Sequence, residues 1–133
     1  MRRGVDRARE VTPLKAYLDH GFLVAGGTDS SVVPFNPFLD IYHFHARDTI
    51  SDGVYGVNQR VHSPQTRLRM ITINYAKRTG KDKIKGSTEP GKLADVAVLS
   101  ENILNVPPRQ MLKMKALATY VGGIEVYRDA SFR

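Results

Sequence analysis

The sequence contains no cysteine and no long run of apolar residues. Without cysteine, a disulfide framework and a thiolate metal site are both excluded. No apolar stretch approaches the roughly 20 residues that a helix needs to span a bilayer. The opening residues 1–6 carry charge but no apolar core, which is not the pattern of a secretory signal. We therefore expect a soluble, cytoplasmic protein with no membrane partner.

Length and composition are those of one soluble globular domain. A chain of 133 residues can bury roughly two thirds of the surface that it exposes when unfolded. Hydrophobic residues make up 41% of the sequence and charged residues 25%, which is ordinary for a protein of this class.

Basic residues exceed acidic ones by seven, with 20 Lys+Arg against 13 Asp+Glu. Such an excess raises the affinity for phosphates and other polyanions. The middle basic group lacks the interleaved aromatic residues of a single-strand binder. We therefore interpret it as a solvated face, and a nucleic-acid partner is not expected. The basic groups are Arg2, Arg3, Arg7 and Arg9; Lys77, Arg78, Lys81, Lys83 and Lys85; and Lys113 with Lys115.

The most informative stretch is an apolar run, Phe22 to Ala25, that ends in two glycines and then in Thr28, Asp29 and Ser30. A short continuous apolar run after a helical pattern predicts a strand buried on both faces, as in a parallel sheet. Glycines would let the backbone turn where the strand stops. Asp29 would then lie at the C-terminal mouth of the strand, where barrel enzymes keep catalytic groups. The alternative is that Asp29 only caps the following turn.

Helical patterns lie on both sides of this run. Thr12 and Pro13 are typical of a helix start, and Gly21 of its end. A second helix is predicted over residues 38–47, and a third from Pro64, ending at Gly80. Residues 48–63 are rich in glycine and polar residues, which predicts a flexible loop.

The pair His43 and His45 has the spacing of two metal ligands on a strand. Alternate side chains share a face on a strand, whereas on a helix they point about 200° apart. Because the surrounding segment has a helical pattern, we predict that the two histidines do not bind one ion.

The last third of the chain predicts a small β unit. Residues 86–95 are rich in turn-forming types, and Val96–Leu99 is a short strand. Two further strands, 116–121 and 124–127, flank Gly122 and Gly123, a two-residue loop of hairpin type. Three strands leave unpaired edges, so the unit is expected to need further strands from elsewhere.

Four motifs in this order resemble the C-terminal end of an amidohydrolase-superfamily enzyme, most closely the amidohydrolase 3 branch. The resemblance extends from about Arg7 to Tyr127, and its most specific part is the segment from Gly86 to Asp95. The motifs are Gly27-Thr28-Asp29-Ser30; Ile73-Asn74-Tyr75-Ala76; Gly86-Ser87 with Pro90-Gly91-Lys92, Ala94-Asp95 and Leu99; and Thr119 with Val121-Gly122-Gly123 and Val126-Tyr127.

The resemblance implies an α/β fold, namely the C-terminal fragment of a (β/α)8 TIM-type barrel plus part of a small β-sandwich. The barrel part, with the last strand and the following helices, would be residues 1–85. Residues 86–133 would belong to the composite sandwich, with 86–95 as a structural turn.

The resemblance also implies a function and a site. The family hydrolyses amide-type, non-peptide C–N bonds of small molecules with water activated by a divalent metal, often zinc. Asp29 would match the aspartate after the last barrel strand, which binds the metal and takes the proton of the water. It is both the catalytic and the metal residue predicted here, and no other cofactor is implied.

The other family ligands, including a first-strand histidine pair, have no counterpart at matching positions in this chain. We therefore expect the chain alone to be inactive, and it is an open alternative that it binds no metal. Self-association or a complementing chain could supply the missing strands. A second class of function is a non-catalytic basic binding or interaction module derived from an amidohydrolase.

Overall fold

The computed structural model describes residues 7, 10–49 and 53–133. No helix in these ranges is both long enough and apolar enough to cross a membrane. The helices are α1 (Leu14–Asp19), α2 (Pro37–Ala46), α3 (Pro64–Ile71) and α4 (Ile73–Arg78), with 3-10 segments at Val57–Gln59 and Pro108–Lys113. The strands are β1 (Asp48–Thr49), β2 (Gly53–Val54), β3 (Val96–Leu99), β4 (Ala116–Val121) and β5 (Ile124–Arg128).

Helix α2 organises the larger of two hydrophobic clusters. The side chain of Asn36 caps the helix by accepting a hydrogen bond from the Phe38 backbone N–H, and Pro37 occupies the first turn. Arg47 ends the helix in the left-handed conformation. One face of α2 is buried against the 3-10 segment 108–113 and its neighbours, as predicted for residues 38–47. The cluster comprises Phe38, Ile41, Tyr42, Ile103, Val106, Met111 and Met114.

Helix α1 also lies where the sequence predicts it, but its start differs. Pro13 occupies the cap position, and no side chain caps the helix. Thr12 has a positive φ of 51°, and its carbonyl, not its hydroxyl, accepts the Leu14 N–H. Gly21, with φ of 76°, follows the helix end as expected.

The third predicted helix is interrupted. Helix α3 begins at Pro64 as predicted, and Ser63 caps it by accepting the Thr66 N–H, but the helix ends at Thr72, where φ is −117° and ψ is −98°. The Thr72 hydroxyl donates a hydrogen bond to the Leu68 carbonyl, which in a regular helix would accept the Thr72 backbone N–H. That N–H donates to the Arg69 carbonyl instead. The prediction of one continuous helix to Gly80 was therefore wrong, since α4 begins anew at Ile73.

The predicted strand Phe22–Ala25 is not a strand in this structure. The segment has no regular secondary structure and pairs with no strand among the described residues, and 64% of Phe22 is exposed. The backbone carbonyl of Val24 instead accepts a hydrogen bond from the Asn74 side chain in α4. A strand needs a neighbour for its ladder of hydrogen bonds, and none of the described strands lies alongside.

The predicted loop 48–63 contains more structure than expected. Strands β1 and β2 pair antiparallel, and the 3-10 segment Val57–Gln59 follows them. Residues 50–52 lie outside the described part, so the flexibility of this loop remains a prediction. Arg2, Arg3 and Arg9 of the N-terminal basic group also lie outside it.

The C-terminal sheet confirms the predicted strands. Its order is β3-β4-β5, with both pairs antiparallel and β4 in the middle. Gly122 and Gly123 both have positive φ, 57° and 83°, as a tight two-residue hairpin turn requires. Their N–H groups donate to Asp95 Oδ1 and to the Ala94 carbonyl, which fastens the turn to the start of β3.

The described residues thus form a mixed α/β fold with small sheets, in agreement with the predicted α/β class. A second cluster of Leu14, Val61 and Met70 joins α1 to α3, with Leu18, Val24 and Phe44 packed against it. The barrel and sandwich assignments, and the division at residues 85 and 86, remain predictions.

Candidate active-site segment

The segment before Asp29 is held in place by two hydrogen bonds to the helices behind it. The Gly26 N–H donates to the Met70 carbonyl in α3 at 3.0 Å. The Asn74 side-chain amide in α4 donates to the Val24 carbonyl at 2.9 Å. Together they fix the backbone three to five residues before Asp29, although no strand is formed.

The two glycines of the segment differ from the prediction. Neither takes a positive φ; the left-handed residue is Asp29 itself, with φ of 49°. Gly26 is instead required because there is no room for a side chain: a Cβ at this position would lie 2.3 Å from Phe44 Cζ. Gly27 has nothing within 4 Å of the same position.

The Asp29 carboxylate is exposed and has no hydrogen-bond or ion-pair partner among the described residues. The turn after it is closed by the backbone, where the Val32 N–H donates to the Asp29 carbonyl at 3.0 Å. The side chain therefore does not cap this turn, so the capping alternative is not what the structure contains. A free carboxylate is able to bind a cation or accept a proton.

The two histidines of the His43-Phe44-His45 motif lie on helix α2, as predicted, and face different neighbours. His43 Nδ1 lies 3.0 Å from Asp48 Oδ1, whereas the His45 ring packs edge to face with His62 at a centroid distance of 5.3 Å. Within the described ranges, no three His, Asp or Glu side chains are grouped so as to hold a metal ion.

Asp48 links two side chains of α2, a relationship that sequence reasoning missed. The Tyr42 hydroxyl donates to Asp48 Oδ2 at 2.5 Å, while His43 approaches the other oxygen. The hydrogen bond to Asp48, aided by burial, raises the pKa of the Tyr42 hydroxyl above its usual 10.0. The contact depends on the left-handed turn at Arg47, which no sequence pattern indicated.

Comparison with known proteins now adds to this geometry. The amidohydrolase family model, of the amidohydrolase 3 type, matches residues 1–127. The chain belongs to the amidohydrolase family. This is a family of hydrolases, and the match confirms the resemblance that the four motifs indicated.

Individual amidohydrolases support the same conclusion. The chain is 29% identical over 115 residues to the N-substituted formamide deformylase of Arthrobacter pascens. The aligned residues make up 86% of this chain and 21% of that protein. It is 27% identical over 131 residues to the protein YtcJ of Bacillus subtilis (strain 168), covering 97% and 25%. The crystal structure of an amidohydrolase from Thermotoga maritima MSB8 superposes with a TM-score of 0.64 at 26% identity, covering 84% and 24%.

The chain thus spans about a quarter of the length of the amidohydrolases that it matches. The activity of the whole enzyme is therefore a matter for proposal. In the segment 24–29 an exposed carboxylate without a partner among the described residues follows a backbone that hydrogen bonds hold to α3 and α4.

Proposed function

We propose that this chain is the C-terminal part of a metal-dependent amidohydrolase that cleaves amide-type, non-peptide C–N bonds of a small molecule. The observation that carries the proposal is the free, exposed Asp29 carboxylate at the end of the anchored segment, within a chain of this family. The relevant part of the fold would be the last strand of a (β/α)8 barrel and the helices after it. We infer that the chain alone is inactive.

The residues present fit a metal site only in part. Asp29 offers one carboxylate ligand, whereas a catalytic zinc takes about three protein ligands and a water. The described residues contain no group of three metal-binding side chains. The further ligands would have to come from polypeptide beyond the described residues, and zinc is the ion that we propose for the assembled site.

Asp29 would have two roles in such a site. A divalent metal bound in the assembled site would supply a water of lowered pKa as the nucleophile for the amide carbon. The Asp29 carboxylate would help to hold the ion and accept the proton from that water, since its oxygens are not engaged elsewhere. The hydrogen bonds from Gly26 to α3 and from α4 to Val24 would hold the backbone before Asp29 in place and so help to position its carboxylate.

The first substrates to test are N-substituted formamides, because one relative carries that activity in its name. The loops that would select among such molecules are mostly outside a chain of this length. The proposal therefore commits to the bond type and leaves the substituent to the assay.

The test begins with the source DNA upstream of the Met1 codon. We expect an open frame that encodes a strand-borne His-x-His pair and further metal ligands, and we expect its product to hydrolyse formamides in the presence of zinc. Asp29→Asn should abolish turnover, with the far-ultraviolet circular dichroism unchanged. Asp19→Asn is the matched control, because Asp19 is an exposed aspartate paired only with Lys15.

Retained turnover in Asp29→Asn would remove Asp29 from the mechanism. A genuine start at Met1, with no such frame or complementing chain nearby, would overturn the proposal as a whole.

A second candidate function is a basic binding module, favoured by one observation. The middle basic group, on α4 and the loop after it, has no ion pair with a carboxylate among the described residues, and four of its five members are exposed. Such a face would attract a polyanion. It would show as binding to heparin that weakens steeply with salt and is lost in Lys77→Gln/Lys81→Gln, without metal uptake.

A further inference from the structure

The guanidinium group of Arg67 is buried without a counter-charge. Only 2% of the residue is exposed. Its Nη1 lies 3.5 Å from the Ile41 carbonyl and 3.9 Å from the Met111 sulfur, both at the weak end of hydrogen bonding. Its Nε has no hydrogen-bond partner, and no carboxylate of the described residues pairs with it.

Other side chains at this place are also basic. Burial lowers the pKa of His45, and the charges of Arg67, His62 and Arg60 lower it further, against a hydrogen bond with the Val61 backbone. Like Arg67 Nε, the atoms His45 Nδ1 and Arg60 Nε are buried and have no hydrogen-bond partner within the described ranges. The basic cluster is defined as His45, Arg60, His62 and Arg67.

A buried charge is tolerated when it is paired and its hydrogen bonds are satisfied. The basic cluster offers N–H donors and the positive charge of its arginines, but it contains no carboxylate. Asp48, on the strand that follows α2, accepts a hydrogen bond from Tyr42 and lies beside His43, and it forms no ion pair with Arg60 or Arg67. The missing partner is therefore an acceptor with negative charge.

We propose that the basic cluster is an oxyanion-binding site. A guanidinium group matches the two oxygens of a carboxylate or phosphate with its parallel N–H groups. A metal ion does not fit, because guanidinium groups are not ligands and their charge repels a cation. His62 is exposed and packs on the partly buried His45, so an anion from solvent would enter the proposed site beside His62.

The site is separate from Asp29 and does not depend on the proposed hydrolase function. Two sources can supply the same chemistry: a free inorganic anion, or the carboxylate of a polypeptide segment. Inorganic phosphate and acetate serve as probes for the two sources.

The experiment follows the Nε–H resonance of Arg67 in the ¹⁵N-labelled full chain at pH 7. The resonance is assigned by its loss in Arg67→Met. We expect a saturable shift on titration with sodium phosphate or sodium acetate at an ionic strength held constant with chloride. A response to phosphate alone identifies a free anion, and a response to acetate identifies a carboxylate. No response to either probe overturns the proposal.

Variants separate this site from general charge attraction. His62→Ala, at the exposed entrance, should raise Kd for the responding anion about tenfold, the equivalent of one charged hydrogen bond. Arg69→Met removes an exposed arginine from α3, the helix that carries Arg67, and should leave Kd unchanged. Equal effects of the two substitutions would overturn the proposal. Kd for these variants is measured by isothermal titration calorimetry, which needs no resonance assignment, so the comparison holds even where Arg67→Met fails to fold.

Discussion

The side-chain amide of Asn74 donates a hydrogen bond to the backbone carbonyl of Val24 across 50 residues of sequence. It connects α4 to the segment that ends at Asp29. Asn74 belongs to one of the four motifs that carry the family resemblance, and this contact gives that motif a physical role. The helix positions the segment by polar contact in the absence of a sheet neighbour.

Asn74→Ala should lower the free energy of unfolding by about 1 kcal/mol, because the Val24 carbonyl loses its donor in a partly buried place. The measurement is urea unfolding followed by circular dichroism. Asn105→Ala is the control, since Asn105 is exposed and its side chain makes no hydrogen bond in the described structure. Equal stabilities of the two variants would show that the Asn74 contact contributes nothing.

Gly26→Ala should destabilise the fold by roughly 1–3 kcal/mol, because the new methyl group would overlap the Phe44 ring. Gly27→Ala is matched to it in chemistry and lies one residue away in open space, with no positive φ to forbid a side chain. We expect that variant to unfold at the wild-type temperature or slightly above it. The two thermal midpoints are compared directly.

The cause is checked by a second substitution. Phe44→Leu shortens the opposing side chain, so Gly26→Ala should be less harmful in that background than in the wild type. A simple addition of the two losses would mean that the overlap with Phe44 is not the reason for the glycine.

Stability should decrease as the pH falls below about 7, in part through His45. Burial and neighbouring positive charges hold the folded-state pKa of His45 below its usual 6.5. Between the two pKa values the unfolded chain binds a proton that the folded chain does not, so acid favours unfolding. His45→Gln should flatten the slope of unfolding free energy against pH, by at most about 1.4 kcal/mol per pH unit.

The pH series is run in chloride without phosphate, so that no oxyanion occupies the basic cluster. His20→Gln is the control, because His20 lies on the exposed end of α1 and only contacts the Ala16 carbonyl. A wild-type slope in His45→Gln would show that another group is responsible.

Elements fixed by local chemistry could be predicted from the sequence. Ser63 with Pro64 is a cap and first-turn pair, and the predicted helix begins there. Asn36 and Pro37 form a second such pair, although the helix was predicted to begin one residue later, at residue 38. Gly122 and Gly123 specify a tight hairpin turn, and the strands on both sides follow. In each case the deciding atoms lie within four residues of one another.

Features fixed by distant contacts could not be predicted. The apolar run Phe22–Ala25 has the composition of a buried strand, but strand formation depends on a neighbour that its own sequence does not contain. The break at Thr72 likewise follows from one hydroxyl hydrogen bond inside a good helical pattern. The unpaired state of Arg67 is visible only when residues 41, 67 and 111 are brought together.

The candidate site was predicted from the family resemblance and not from the local sequence around Asp29. Asp29 was identified from the order of the motifs, because its spacing alone favoured a turn cap. The structure adds that its carboxylate is free and its backbone is left-handed. Its proposed partners are ligands that a sequence of this length does not provide.

The sequence separation of the contacts has a kinetic consequence. The β4–β5 hairpin closes across two residues and pairs directly with β3, so it can form on the timescale of local chain diffusion. The Asn74–Val24 bond must close a loop of 50 residues. We therefore expect the C-terminal sheet to nucleate early, and the backbone that presents Asp29 to be the last part to become ordered.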